Sequence, residues 1–281
     1  MSDRFRVIAV CGHEAAHGAA LQGLVDSAVT VVPSGRALYR CVAGLRRGGE
    51  KGCVVPMTLG RDPELVAETA RTLRALPAAE RPGTVLAEPF GTSQHLIGWL
   101  RAAAGRTPDE SALLITAPSG DPFDDAELYR VASLVRRYGS HPLVEVAFSG
   151  GDPDPIAGVR RCRLLGAARV VLLPAAFARP EVPDVPGTQV EGAGPLVSPA
   201  AVARVLAERV QDARRRWRER GDDGIAAGLT AADDHGHSHT HPPGEGHDHG
   251  RGHGPLHPHQ HQHPHPHPHA GGAGRMIRST A

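Results

Sequence analysis

Apolar residues follow two rhythms along the chain as far as residue 220. Short unbroken apolar runs bounded by Gly and Pro occur at 6–11, 29–33, 52–59, 84–88, 112–117, 143–149, 168–174 and 189–191. They are rich in Val, Ile and Leu, which is the composition of parallel strands buried on both faces. Between them, apolar residues recur at helical spacing over 35–48, 62–76, 92–104, 124–138, 154–166 and 198–218. Ser198-Pro199 opens the last of these with an N-cap residue followed by proline at the first helical position. Strands and helices in alternation predict an α/β fold with parallel sheets.

The pattern also repeats. GCVVPMTLGRDPELV matches AARVVLLPAAFARPEV with Pro56 and Pro174 in register, and EPFGTSQHLIGWLRAA matches GAGPLVSPAAVARVLAE with Leu100 and Leu206 in register. RVIAVCGHE aligns with LLITAPSGD, so each half holds four strands in one order. Two similar lobes, residues 1–105 and 110–220, are the expected organisation, each a small parallel sheet flanked by helices. Open α/β sheets bind ligands beyond the carboxyl ends of their strands, which places the expected site in the cleft between the lobes.

After residue 220 the apolar periodicity stops and His, Gly and Pro take over. Fourteen of the 18 histidines lie between His235 and His269, leaving His13, His17, His95 and His141 in the body. Such a segment buries too little apolar surface to offset the entropy of ordering, so residues 221–281 are expected to be disordered. The imidazoles of His235, His237, His239, His241, His247, His249, His257, His259, His261, His263, His265, His267 and His269 form a dense array. Alternation with proline favours an extended chain that binds several Co2+, Ni2+ or Zn2+ ions, and binding should weaken as the rings protonate.

Charge and cysteine usage exclude several classes of function. The 31 basic and 30 acidic residues nearly cancel, which argues against bulk nucleic-acid binding. No apolar run reaches the length of a membrane-spanning helix, and MSDRFRVIAVCGH reads as a first strand and not as a secretory signal. Cys11, Cys41, Cys53 and Cys162 are far apart with no CxxC pair, so a reducing, cytoplasmic location is expected. Neither GxSxG nor GxxxxGK[ST] is present.

The residues in these runs carry a resemblance. HPLVEVAFSGGDPDPIAGVRRCRLLGAARVVLLPAAFARPEVPD, together with VIAVCGHE and VVPMTLGRDPE, resembles the class II tetrapyrrole chelatases, the sirohydrochlorin chelatases of the CbiX and SirB type. That resemblance covers most of residues 5–210. It implies insertion of a divalent metal into sirohydrochlorin, with Co2+ favoured and Fe2+ or Ni2+ as alternatives, in cobalamin biosynthesis. It implies no organic cofactor, and a tetrapyrrole and metal ions as partners. The first family histidine corresponds to His13. The second falls on Asp62, a departure that puts a carboxylate in place of an imidazole. Both positions are lost in the second lobe, whose Glu145 matches the family glutamate.

Metal insertion needs exchangeable ligands, acceptors for two pyrrole protons and an anchor for a polycarboxylate. Imidazole serves the first two. His13, with Glu14 beside it, is the expected catalytic pair, although a strand-end histidine bonded to backbone has the same sequence appearance. His17 stands four residues on, which shares a face with His13 if a helix starts there and makes it a second ligand or a solvated residue. Asp62, before Pro63 and Glu64, reads as a metal ligand, as a helix N-cap, or as both. His95, near a helix start where anions can bind, and Arg61 are expected to contact substrate, as is Glu145. Arg36 and Arg179 are further candidate anchors, whereas His141, before Pro142, reads as structural or solvated. A degenerate relative that stores or delivers metal through its tail is the alternative to an active chelatase.

Overall fold

Strand residues in this chain point alternately into two different apolar cores, and that alternation sets the architecture. The computed structural model describes residues 5–233. In chain order the elements are β1 (Phe5–Cys11), β2 (Thr30–Pro33), α1 (Arg36–Arg47), β3 (Lys51–Met57), α2 (Pro63–Arg74), β4 (Thr84–Leu86), α3 (Ser93–Ala104), β5 (Ala112–Pro118) and α4 (Pro122–Arg137). They continue with β6 (Val144–Ser149), α5 (Pro155–Leu164), β7 (Arg169–Pro174), β8 (Gln189–Gly192), α6 (Pro199–Arg220) and α7 (Ile225–Leu229). The strands form two parallel four-stranded sheets, ordered β2-β1-β3-β4 and β6-β5-β7-β8. The expected α/β fold and the duplicated strand order are both present.

Phe5, Ala9 and Cys11 of β1 face a core shared by the two sheets, while Ile8 and Val10 face an outer core under α1 and α2. In β5, Leu113, Ile115 and Ala117 face the shared core, and Ala112 and Leu114 face an outer core under α5. Burial on both faces explains why these strands read as unbroken apolar runs. Four helices begin with an acid or Ser cap followed by proline: Asp62, Asp121, Asp154 and Ser198 each accept a backbone N–H of the first turn.

The lobes are interlocked instead of lying side by side. Helix α3 follows β4 of the first sheet in the chain, yet it packs on α4 and β7 of the second. Helix α6 follows β8 but packs on β3 and β4 of the first. Each sheet is therefore covered in part by the other half's last helix, and one core runs through both.

Two features differ from the sequence reading. Between β1 and β2, His13–Leu21 forms a 3-10 segment interrupted by left-handed backbone at Ala16 (φ 46°) and His17 (φ 52°), so the condition for a shared face of His13 and His17, a helix starting there, is not met. The body also continues past residue 220. Helix α7 packs against α2 and β4, with Ile225 in the outer core of the first sheet and Gly228 close to Leu86 and Ala70. Ile225, Ala227 and Leu229 provide enough apolar contact to order a segment that its acidic neighbours make look like tail. The histidines from His235 to His269 lie outside the described residues.

Candidate active site

In the first sheet the chain leaves β1 towards β2 on one side and reaches β3 on the other, so the switch point lies between β1 and β3. Ligands of open α/β sheets bind outside the strand ends at this point. The segment after β1 places His13 and Glu14 there, and the segment after β3 places Thr58, Leu59, Arg61 and Asp62. The second sheet has its own switch point between β5 and β7, and the two are in contact. Phe177 N–H donates to the Glu14 carbonyl at 3.0 Å, and Phe177 stacks edgewise on Phe90.

His13 Nδ1 lies 3.0 Å from Asp62 Oδ2. With Nδ1–H donating to a carboxylate, the lone pair resides on Nε2, the orientation used by metal-ligating histidines. Asp62 Oδ1 meanwhile accepts the Leu65 N–H at 2.9 Å and caps α2. The same carboxylate thus starts a helix and orients the imidazole. This pairing requires glycine at position 12, because a Cβ there would stand 2.4 Å from Asp62 Oδ2. The Asp62 hydrogen bond holds His13 above the usual histidine range, against the opposing effect of burial. His13 Nε2 is buried and without a hydrogen-bond partner among the described residues.

Glu14 is fully buried. One of its oxygens accepts from the Thr58 hydroxyl and from the Leu59 N–H, the latter at 2.8 Å. Its Oε1 has no partner among the described residues. Desolvation raises its carboxyl above the normal range, offset in part by the charge of Arg61. A carboxylate in this condition is a stronger base than one in water.

Arg61 is not an open substrate anchor. It is 1% exposed, and its Nη2 donates to Asp125 Oδ1 at 3.0 Å across the lobes. Asp125 also accepts the Gly120 N–H at 3.0 Å, so one carboxylate ties the loop after β5 to the first lobe's arginine. Gly60 is needed beside it, since at φ 109° a Cβ would fall 2.1 Å from the Thr92 carbonyl carbon.

Other expected residues are placed elsewhere. His17 is exposed, and the left-handed backbone between it and His13 removes the shared helical face on which its role as second ligand rested. Glu145 is the second residue of β6, near the end of the strand opposite to the switch point, and pairs with Arg161 at 3.5 Å. His95 is exposed, closes a capping box with Thr92 and stacks on Trp99. His141 is buried with both nitrogens near carbonyl oxygens of Ser111 and Ala104, so of its two open readings the structural one holds. Arg36 and Arg179 are exposed. Among the described residues, no group of three or more His, Cys, Asp or Glu side chains is gathered in a way that could hold a metal.

Sequence reasoning missed Asp124 and Asp125. Burial and the nearby carboxylates of Asp62 and Asp121 raise the Asp124 carboxyl to about 6, against Arg61 and His13. The available signal was PFDDAEL, two acids in the first turn of a helix that begins at the second lobe's switch point. Asp62 and Thr58 also line a cavity of about 450 Å³, together with Arg216 and with Ala227 and Ala231 of the C-terminal segment.

No protein-family model and no curated protein matches the chain. Among solved structures it is similar to one described as SirB from Bacillus subtilis with Fe3+. The identity is 16%, the match covers 78% of this chain and 100% of the other, and the TM-score is 0.45.

Proposed function

We propose that the chain is a sirohydrochlorin-type chelatase that inserts a divalent metal, Co2+ first among the candidates, into a tetrapyrrole in cobalamin biosynthesis. The observation that carries this reading is His13 at the switch point, held by Asp62 at 3.0 Å with its other nitrogen unpartnered. In this reading His13 Nε2 takes the incoming metal as substrate and releases it to the macrocycle, while Asp62 keeps the ring in the competent tautomer. Glu14, whose burial makes it basic, receives a proton leaving a pyrrole nitrogen. The histidines of the tail raise the local metal concentration, because Ala231 at the tail's root lines the same cavity as Asp62.

A second reading is favoured by a separate observation. With His17 turned away, Arg61 committed to Asp125 and no three-residue metal cluster among the described residues, the body has few groups for catalysis. A degenerate chelatase-like protein that stores or delivers metal through its tail accounts for that.

The test mixes sirohydrochlorin and Co2+ with the full chain, with a chain ending at residue 233, and with His13→Ala, and follows the absorbance of the metallated product. The chelatase reading expects both unsubstituted chains to exceed the spontaneous rate and His13→Ala to match it. Equal rates for all three, no faster than buffer, leave the storage reading.

A further inference from the structure

The segments that follow β1 and β3 meet at one hydroxyl. Thr58, the first residue after β3, is 2% exposed, and its Oγ1 donates to the Glu14 carboxylate. The same oxygen accepts the Gly60 N–H at 2.9 Å and the Asp62 N–H at 3.2 Å. A hydroxyl has one hydrogen to give and two lone pairs with which to accept, so these bonds use its whole capacity. Both segments therefore fix its rotamer.

The bonds close a ring. Asp62, held by its N–H on Thr58, sets Oδ2 3.0 Å from His13 Nδ1, and His13 leads along the chain to Glu14, which returns to Thr58. The ring is anchored from outside. Glu14 accepts the Leu59 N–H on its carboxylate at 2.8 Å and the second lobe's Phe177 N–H on its carbonyl at 3.0 Å. The Thr58 carbonyl accepts the Gly91 N–H at 2.8 Å, from the segment before α3. Capping of α2 accounts for the bond from Leu65 N–H to Asp62 Oδ1, but it asks for no hydroxyl at position 58. Thr58 lies between the buried apolar residues Met57 and Leu59, so burial alone asks for none either.

The structure assigns to Thr58 the role of positioning residue for the imidazole. By holding the Asp62 backbone and the Glu14 carboxylate on one hydroxyl, it sets the Asp62 carboxylate against His13 Nδ1 and leaves the lone pair of His13 on Nε2. Thr58 acts through Asp62 and not by contact with metal or macrocycle. The inference rests on the chelatase reading for the use made of Nε2, whereas control of the His13 tautomer is measurable without it.

Imidazole 15N NMR of the metal-free full chain tests it at a pH where His13 is neutral, with the His13 signals identified by their absence in His13→Gln. Thr58→Val and Thr58→Ser are measured alongside. In the parent and in Thr58→Ser the proton should sit on Nδ1. In Thr58→Val the share of the Nε2–H form should rise severalfold, and kcat for metallation of sirohydrochlorin should fall about 10-fold with KM unchanged. An undisturbed tautomer in Thr58→Val overturns the inference, and so does an equal change in Thr58→Ser. If Thr58→Val does not fold, the parent decides: its Thr58 hydroxyl proton should be protected from exchange with water and show cross-peaks to the Gly60 and Asp62 amides, and a freely exchanging proton overturns the inference. If the tautomer responds as expected but no chain metallates sirohydrochlorin, the chelatase reading fails and the role of Thr58 stands. If Thr58→Val metallates at the parent rate with its tautomer intact, the reverse holds.

Discussion

The two lobes are built on one plan and have diverged at their switch points. Pro56 pairs with Val10 across β3 and β1, and Pro174 pairs with Thr116 across β7 and β5. Counting forward from those partners, Ser119 stands where His13 stands, Pro118 where Gly12 stands, and Pro180 where Asp62 stands. The first lobe has an imidazole, a carboxylate to orient it and a glycine that lets the two meet. The second has lost all three and instead places Gly120, Asp124 and Asp125 against the first lobe's site. The second half is nevertheless not idle beside the first. One lobe holds His13 with its Asp62 partner, and the other packs against them through Phe177 and Asp125.

The largest effect should come from substituting equivalent positions. His13→Ala is expected to bring metallation of sirohydrochlorin down to the spontaneous rate, whereas Ser119→Ala should stay within about twofold of the parent, since no metal ligand is lost. Equal losses at the two positions would mean that the lobes have not diverged in function. The next effect is on folding. Arg61→Ala leaves Asp125 without its partner and opens a hole at a fully buried side chain, so stability should fall by about 3 kcal/mol, the low end for a broken buried pair because Asp125 keeps some contact with water. The lobe-equivalent arginine, Arg179, is exposed, and Arg179→Ala should change the denaturation midpoint hardly at all.

The fold was legible because burial on both faces writes strands as apolar runs and because caps such as Asp62-Pro63 and Ser198-Pro199 mark helix starts directly. His13 and Asp62 were also legible, since both lie in the segments that follow β1 and β3, His13 just past its strand and Asp62 at the cap that starts α2. What escaped depended on contacts between the halves. Nothing local to Arg61 distinguishes an arginine buried against Asp125 from one open to solvent, and Glu145 sits at the wrong end of its strand by a margin that only the register reveals. The expected pairing of His13 with His17 failed because spacing predicts a shared face only where the backbone is helical, and here it turns left-handed. Helix α7 escaped because its two strongly apolar residues, Ile225 and Leu229, gain their partners from the core under α2 and β4 and not from their own sequence neighbours.

Asp62 can be divided into its two roles. Asp62→Asn should keep the cap, because the two residues are about equal there, and leave the melting temperature close to that of the parent. Losing the carboxylate that fixes the imidazole should still lower metallation by roughly 10–100-fold. Asp62→Ala adds the lost cap, about 1 kcal/mol. Gly12→Ala should match Asp62→Asn or exceed it, since its Cβ displaces the same oxygen. If Asp62→Asn retains full activity, the carboxylate is a cap alone.

The smallest effect concerns the enclosing lobe. Burial and the carboxylates of Asp62 and Asp121 raise Asp124 from the usual aspartate value to about 6 in the folded protein. A carboxyl raised on folding favours the folded state while it is protonated. Its contribution is present below the unfolded aspartate range and is lost as pH rises through about 6. Asp124→Asn abolishes that loss. In metal-free buffer the variant should therefore melt above the parent at pH 7.5, and the gap should close between pH 6 and pH 4. Equal melting temperatures for variant and parent at pH 7.5 would show that folding does not raise the Asp124 carboxyl.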